Sequence, residues 1–168
     1  LPFVPEDRHG DTFCAAVVMW SGSIDRGEQA MQPFLDVAPP VGHMTAPMPY
    51  PWLNAAFDEI FPKGMRMYWK GNFATELTDE AVEAHAEHGP RVPEVSATMH
   101  LYPINGACHD VGPDDTAFAY RHATFAPVYV VGWTDPAKDA ERIQWARNYY
   151  EATAPHSEAD GTTDGPSS

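Results

Sequence analysis

The spacing of apolar residues divides much of the chain into helical segments. Apolar side chains recur every three or four positions from Asp25 to Val37, as on one face of a helix, and Pro39-Pro40 then ends the pattern. Thr78 precedes two acidic residues and an alanine-rich run that stops at Gly89-Pro90, which is typical of a capped helix. The pattern predicts helices over residues 25–37, 50–60, 78–88 and 135–151.

Runs of β-branched and aromatic residues between turn residues indicate the strands. Asn105-Gly106 is typical of a tight hairpin turn, so the strand that ends at Tyr102 is expected to pair with the residues after the turn. The predicted strands cover residues 11–20, 65–73, 96–102, 107–111, 117–121 and 127–133. In the second of them, alternation places Met65, Met67 and Trp69 on one face and Arg66, Tyr68 and Lys70 on the other.

The order of these elements predicts the fold class. Helices and strands alternate in the first half, whereas several strands follow one another before the last helix. We predict an α+β domain over residues 1–154, with a largely antiparallel β-sheet covered on one face by helices. Residues 155–168 are mostly Ser, Thr, Gly, Asp, Glu and Pro, which predicts a flexible acidic tail.

The chain is strongly acidic, with 10 Lys and Arg against 24 Asp and Glu and a net charge of −14. This charge repels phosphate backbones and anionic lipids, so neither nucleic acid nor a membrane is expected as a partner. Cys14 and Cys108 are interpreted as reduced thiols of a cytoplasmic protein. The chain begins at Leu1 rather than Met, with prolines nearby, which suggests a cut or processed end.

Two pairs of polar side chains alternate on predicted strands, so the members of each pair point the same way. They are Tyr68 with Lys70, and His100 with Tyr102. If the two faces meet, a phenol, an ammonium and an imidazole form a substrate-binding wall. The alternative is a solvated sheet face, or aromatic rings packed under helices with their polar ends hydrogen-bonded.

His85 and His88 share one face of a predicted helix and suggest a metal site. Zinc usually takes at least three protein ligands, so this pair needs a third from elsewhere. The alternative is an exposed helix end, where histidine interacts favourably with the helix dipole. No metal site is predicted.

Several motifs follow one another in an order that resembles the FAD-linked oxidases related to berberine bridge enzyme. Phe57 to Phe73 contains a Pro-x-Gly turn and then Arg-Met-Tyr-Trp-Lys, and Leu77 to Ala81 opens a helix with Leu-Thr-Asp-Glu-Ala. His100 to Ala107 ends in Asn-Gly-Ala, and Asp114 to Ala123 and Trp133 to Arg147 supply two further matching stretches. Together the matches extend over residues 1 to 150.

The resemblance implies a substrate-binding domain whose sheet roofs the flavin ring, where an alcohol, amine or sugar gives up a hydride. FAD is then held mainly by a separate flavin-binding domain, and this sequence lacks both that domain and the family's closing segment. The resemblance adds Tyr129 to the predicted substrate-binding residues, because its strand faces the substrate in many relatives. Since that strand carries no carboxylate or amide, we expect the chain to be inactive alone.

Three functional hypotheses follow. The first is a substrate-binding domain or subunit of an FAD-dependent oxidoreductase, dependent on a flavin-binding partner. The second is a flavin-free remnant that acts as a binding or structural module, as a homo-oligomer formed through an exposed sheet face. The third is a small α+β enzyme that uses His100 and Tyr102 directly on its substrate.

Overall fold

A computed structural model describes residues 4–58, 60–94 and 96–156. It divides the chain into two compact units, the first ending at residue 59 and the second beginning at residue 60. Among the described residues, none of the helices combines the length and the apolarity needed to cross a bilayer.

The first unit contains two helices, α1 (Ile24–Asp36) and α2 (Tyr50–Ala55). Both were predicted, although α2 ends sooner because the chain turns at Ala56, whose N–H bonds to the Leu53 carbonyl. The indole of Trp20 covers the first turn of α1 and donates to the Ser23 carbonyl at 3.0 Å. Gly27 is buried beneath this ring, where a Cβ would lie 2.8 Å from the indole.

The strand predicted over residues 11–20 is wrong. These residues have no regular secondary structure and pair with no strand in the described part of the first unit. Val17 and Met19 are mostly exposed, at 65% and 54%. An apolar, β-branched run becomes a strand only when a neighbouring strand supplies its hydrogen bonds.

The second unit is built on a three-stranded antiparallel sheet. Its strands are β1 (Arg66–Gly71), β2 (Ala97–Pro103) and β3 (Phe125–Trp133), in the order β1-β3-β2. Helices α3 (Asp79–His88) and α4 (Asp139–Thr153) follow β1 and β3 in the chain. This arrangement confirms the predicted α+β class with an antiparallel sheet and helices on one face.

The register determines which side chains lie under the helices. Directly opposed residues of neighbouring strands point to the same face. We call the side that packs against α4 the helix-covered face and the opposite side the open face. The helix-covered face carries Arg66, Tyr68, Lys70, Ala97, Met99, Tyr129, Val131 and Trp133.

An aromatic cluster forms the core between this face and α4. Tyr129 and Tyr149 are 0% and 2% exposed, and their ring centroids lie 4.8 Å apart. Trp145 meets Tyr149 edge to face at 5.9 Å, and Ala146 lets the helix approach the sheet. The core of the second unit therefore depends on rings contributed by both β3 and α4.

Polar contacts fix the first turns of α4. Asp139 accepts two hydrogen bonds from Arg66, at 2.6 and 2.5 Å, and one from the indole of Trp133 at 2.7 Å. The hydrogen bonds from Arg66 are the main reason that the pKa of Asp139 is lowered. One turn later the buried Arg142 donates to Glu94 at 2.8 and 3.0 Å. These bonds set the position of α4 along the sheet.

The hairpin into residues 107–111 and the strand over 117–121 are both wrong. Gly106 adopts a left-handed φ of +56°, as the Asn-Gly pair suggested, but residues 106–108 continue as a 3-10 turn. The N–H of Arg121 bonds to the Ala119 carbonyl, a tight turn that is incompatible with a strand. β2 instead pairs with β3, at the far end of this long loop.

The end of α4 lies close to the predicted domain boundary. A single 3-10 turn, Ala154–His156, continues from it. Residues 157–168 of the predicted tail lie outside the described residues.

We expect the second unit to lose stability as the pH falls from 7.5 to 5.5. Burial is the main cause that lowers the pKa of His85, with a smaller contribution from His88, and burial also lowers the pKa of His100. A lowered folded-state pKa means that the unfolded chain binds protons first, so stability is lost as the pH falls below about 6.5. Urea unfolding at several pH values measures this slope.

The variant His85→Gln should flatten that pH dependence while keeping a hydrogen bond to Tyr149, which lies 3.2 Å from the imidazole Nδ1. His122→Gln is the matched control, because His122 is exposed. An unchanged slope in His85→Gln would contradict the assignment.

Candidate functional site

The open face of the sheet carries a mixed apolar and polar surface. Trp69 of β1 and Thr98 of β2 are both cross-strand partners of Val130, and His100 is the partner of Val128. The indole of Trp69 is 54% exposed, and Tyr102, farther along β2, is 50% exposed. Two large amphipathic side chains thus stand uncovered on one face of a rigid sheet.

Three polar side chains form a hydrogen-bonded row along β2. Thr98 Oγ1 lies 3.0 Å from His100 Nε2, and His100 Nδ1 lies 2.7 Å from the Tyr102 hydroxyl. Strand geometry produces this row, because every second residue of β2 points to the open face. Burial lowers the pKa of His100, so its imidazole is neutral near pH 7. We call these three residues the β2 row.

An apolar strip lies beside the β2 row. Val130 is fully buried on the central strand, and Val128 is partly buried next to it. Since neighbouring strands lie about 5 Å apart, Trp69 and Thr98 are about 10 Å apart at the backbone. None of the strand residues on this face is Lys, Arg, Asp or Glu. The strand residues of the open face are therefore uncharged at neutral pH.

Three of the five predicted substrate-binding residues lie on the helix-covered face. Tyr68 accepts a hydrogen bond from Arg147 Nε at 3.2 Å. Lys70 Nζ lies 4.0 Å from the ring centre of Tyr150, a cation–π contact with α4. Both side chains are thus engaged by the helix.

Tyr129, the third, is fully buried. Its hydroxyl is hydrogen-bonded to Thr153 near the end of α4, and burial raises its pKa. The structure brings His100 and Tyr102 together on the open face but does not join them to Tyr68, Lys70 and Tyr129. The two polar faces lie on opposite sides of the sheet, so Tyr68 and Lys70 do not meet His100 and Tyr102 in one wall.

Sequence reasoning missed Trp69 and Thr98 as residues of the open face. The alternation along β1 was read correctly, but its polar face was taken as the ligand-facing one. The side chains of α4 were the available signal, since Arg147 and Tyr150 can pair with a tyrosine and a lysine on β1.

His85 and His88 belong to the packing between α3 and α4. His85 contacts the Tyr149 hydroxyl, and the ring of His88 stacks on Tyr149 at 5.5 Å. Within the described ranges, no three His, Cys, Asp or Glu side chains are grouped as metal ligands would be.

The residues of this chain fit only part of FAD, the cofactor that the resemblance implies. The exposed rings of Trp69 and Tyr102 suit contact with a flat aromatic group. The open-face strand residues supply no cation for a pyrophosphate, and the sequence contains no Gly-x-Gly-x-x-Gly motif. These strand residues therefore do not fit the phosphates of FAD.

Comparison with known proteins places these features in context. No family model matches the chain. The FAD-linked oxidoreductase YgaK of Bacillus subtilis, itself uncharacterised, is 24% identical over 152 residues, which cover 80% of this chain and 33% of YgaK. The chain thus spans about a third of the length of this curated relative.

Solved structures show the same fold. CrmK, a flavoenzyme of caerulomycin biosynthesis, matches with a TM-score of 0.63 and 24% identity over 78% of this chain and 28% of CrmK. A BBE-like protein of Arabidopsis thaliana matches with a TM-score of 0.62 and 16% identity over 84% of this chain and 33% of its own. The chain is homologous to FAD-linked oxidoreductases and shares the fold of about a third of a berberine-bridge-enzyme-like protein, which confirms the resemblance predicted from its motifs.

Proposed function

We propose that this chain is the substrate-binding domain or subunit of an FAD-dependent oxidoreductase that oxidises a small organic alcohol, amine or sugar. The observation that carries the proposal is the open face of the sheet, on which Trp69 and Tyr102 are exposed. The chain also matches a third of the length of an FAD-linked oxidoreductase. FAD would be held mainly by a flavin-binding partner.

The contrast between the two faces of the sheet supports this assignment. On the helix-covered face, Tyr129 and Tyr149 are sealed in a complete core. On the open face, Trp69 exposes more than half of its surface, although burial of such a ring is favourable by about 2–3 kcal/mol. The exposed rings of Trp69 and Tyr102 on this face would offer a substrate apolar contact.

The role of each side chain follows from its chemistry. When bound by the partner, FAD supplies the acceptor for the substrate's hydride. Trp69 would exclude water from one side of the substrate, and the β2 row would orient its polar group by hydrogen bonds. The chain alone would have no turnover.

Purification from the native source tests the proposal. We expect the chain to emerge with a second, flavin-binding polypeptide or segment and a visible flavin absorbance. Co-expression with the flavin-binding gene product of the same genome should reproduce that complex. A colourless chain that gains no flavin under either condition would overturn the proposal.

The second hypothesis, a flavin-free homo-oligomer, predicts a different result. Light scattering would then show a stable oligomer without flavin. The net charge of −14 opposes self-association of this chain, which favours a partner of different composition.

A further inference from the structure

A small cavity lies at the end of the sheet where β3 leads towards α4. Its volume is about 210 Å³, and its lining includes Trp133, Asp135 and Lys138. Tyr102 pairs with Ala126 near the other end of β3. At about 3.3 Å per strand residue, Trp133 is about 20 Å from Ala126. The cavity is therefore separate from the Tyr102 end of the β2 row.

The lining contains two carboxylates and one ammonium group. Glu94 Oε1 accepts hydrogen bonds from Lys138 at 3.4 Å and from the buried Arg142 at 2.8 and 3.0 Å. Asp135 Oδ1 accepts from the Ala137 N–H at 3.0 Å. Among the described residues, no donor is hydrogen-bonded to Glu94 Oε2 or Asp135 Oδ2. Each carboxylate thus has one oxygen available to a ligand.

The charges of the lining are of opposite sign. Hydrogen bonds from Arg142 are the main cause that lowers the pKa of Glu94, so this carboxylate is ionised at neutral pH. Because Arg142 compensates Glu94, the charges left to a ligand are the carboxylate of Asp135 and the ammonium of Lys138. An ammonium has three N–H donors, and Glu94 engages the one at Lys138 only at a long 3.4 Å.

One wall of the cavity is apolar. Gly132 has no side chain, and a Cβ at this position would lie 2.5 Å from Met65 Sδ, so the thioether lies directly over the glycine. Trp133, next to it, is 5% exposed. The volume is below the range of about 300–1,000 Å³ that is usual for drug-sized ligands. The cavity therefore suits a small molecule with a short aliphatic group.

We propose that this cavity binds a small zwitterion, a free α-amino acid with a short side chain. The ligand's ammonium donates to the available oxygens of Asp135 and Glu94, and its carboxylate accepts from Lys138. Its side chain contacts Met65. A ligand with a single charge would leave either Asp135 or Lys138 without a counter-charge in the occupied cavity. The site goes beyond the proposed function and does not depend on flavin.

An NMR titration of the full chain tests the site through the indole N–H of Trp133. The probes have matched shapes: L-alanine, L-alaninamide and N-acetyl-L-alanine. L-Alanine should give a saturable shift. The amide lacks the carboxylate and the acetylated compound lacks the ammonium, so each should bind about tenfold more weakly, the value of one hydrogen bond to a charged group. No saturable shift with L-alanine up to its solubility limit, or equal affinity for the three probes, would overturn the proposal.

Two variants assign the contacts to their residues. Lys138→Met keeps the unbranched stem, and the preference for L-alanine over L-alaninamide should disappear. Asp135→Asn keeps the oxygen that accepts from the Ala137 N–H, and the preference for L-alanine over N-acetyl-L-alanine should fall severalfold. Asp114→Asn, at an exposed position outside the lining, is the matched control and should keep both preferences. Unchanged preferences in Lys138→Met and Asp135→Asn would contradict the site, and the comparison of the three probes decides it if either variant fails to fold.

Discussion

Truncating Tyr149 to alanine should cost about 3–5 kcal/mol of the free energy of unfolding, the range for removing a buried aromatic side chain. Its ring contacts Tyr129 and Trp145, and its hydroxyl lies between the His85 carbonyl and imidazole. The change leaves a cavity between the sheet and α4 and an unpaired polar group on α3. Urea denaturation followed by tryptophan fluorescence measures the loss.

Tyr102→Ala is the matched control for this prediction, because the same side chain is removed from the open face. Tyr102 is half exposed, so its loss should cost no more than about 1 kcal/mol. Equal costs for the two variants would show that the aromatic cluster is not the core of the second unit.

Replacing Trp69 with glutamate should weaken assembly with a flavin-binding partner by about 30-fold or more, the effect of losing one interface hot spot of about 2 kcal/mol. The charge would stand on a face whose strand residues carry none. Stability of the chain should change little, since the indole is already 54% exposed. Size-exclusion chromatography with detection of flavin absorbance measures the bound fraction.

Two further variants make the Trp69 result specific. Val82→Glu places the same charge on α3 at an exposed position and should leave assembly intact. Trp69→Phe keeps an aromatic ring and should retain most of the affinity. Normal flavin acquisition by Trp69→Glu would show that the partner does not bind the open face.

The sequence predicted most of the second unit because its signals are local. Thr78 caps α3 through a hydrogen bond from the Ala81 N–H at 3.2 Å, as its position suggested. The Asp-Pro pair at residues 135–136 marks the 3-10 turn that leads into α4. Caps, turns and alternation depend on neighbours within a few positions, so a single sequence reveals them.

The errors concern contacts between distant segments. Residues 117–121 have strand composition, yet Tyr120 stacks on Phe73 at 4.1 Å in a loop. The contact of Lys70 with Tyr150 of α4 was not predicted either. Neither position can be deduced from spacing, because each depends on which element docks beside it.

Only part of the candidate site could be predicted, because the rest depends on contacts between distant segments. Alternation along β2 correctly put His100 and Tyr102 on one face, where a hydrogen bond joins them. Trp69 was placed on the correct face of β1, but the register against β3 was needed to show that this face is shared with His100.

The position of β3 between β1 and β2 has a consequence for biosynthesis. The central strand is the last of the three to be synthesised, and in the described part of the chain β1 and β2 have no other strand as a neighbour. Both must therefore wait, unpaired, until residue 133 has left the ribosome. A nascent chain stopped before Phe125 would present two isolated strands and the apolar faces of Trp69 and Met99, so this protein should require a chaperone's protection until β3 has been synthesised.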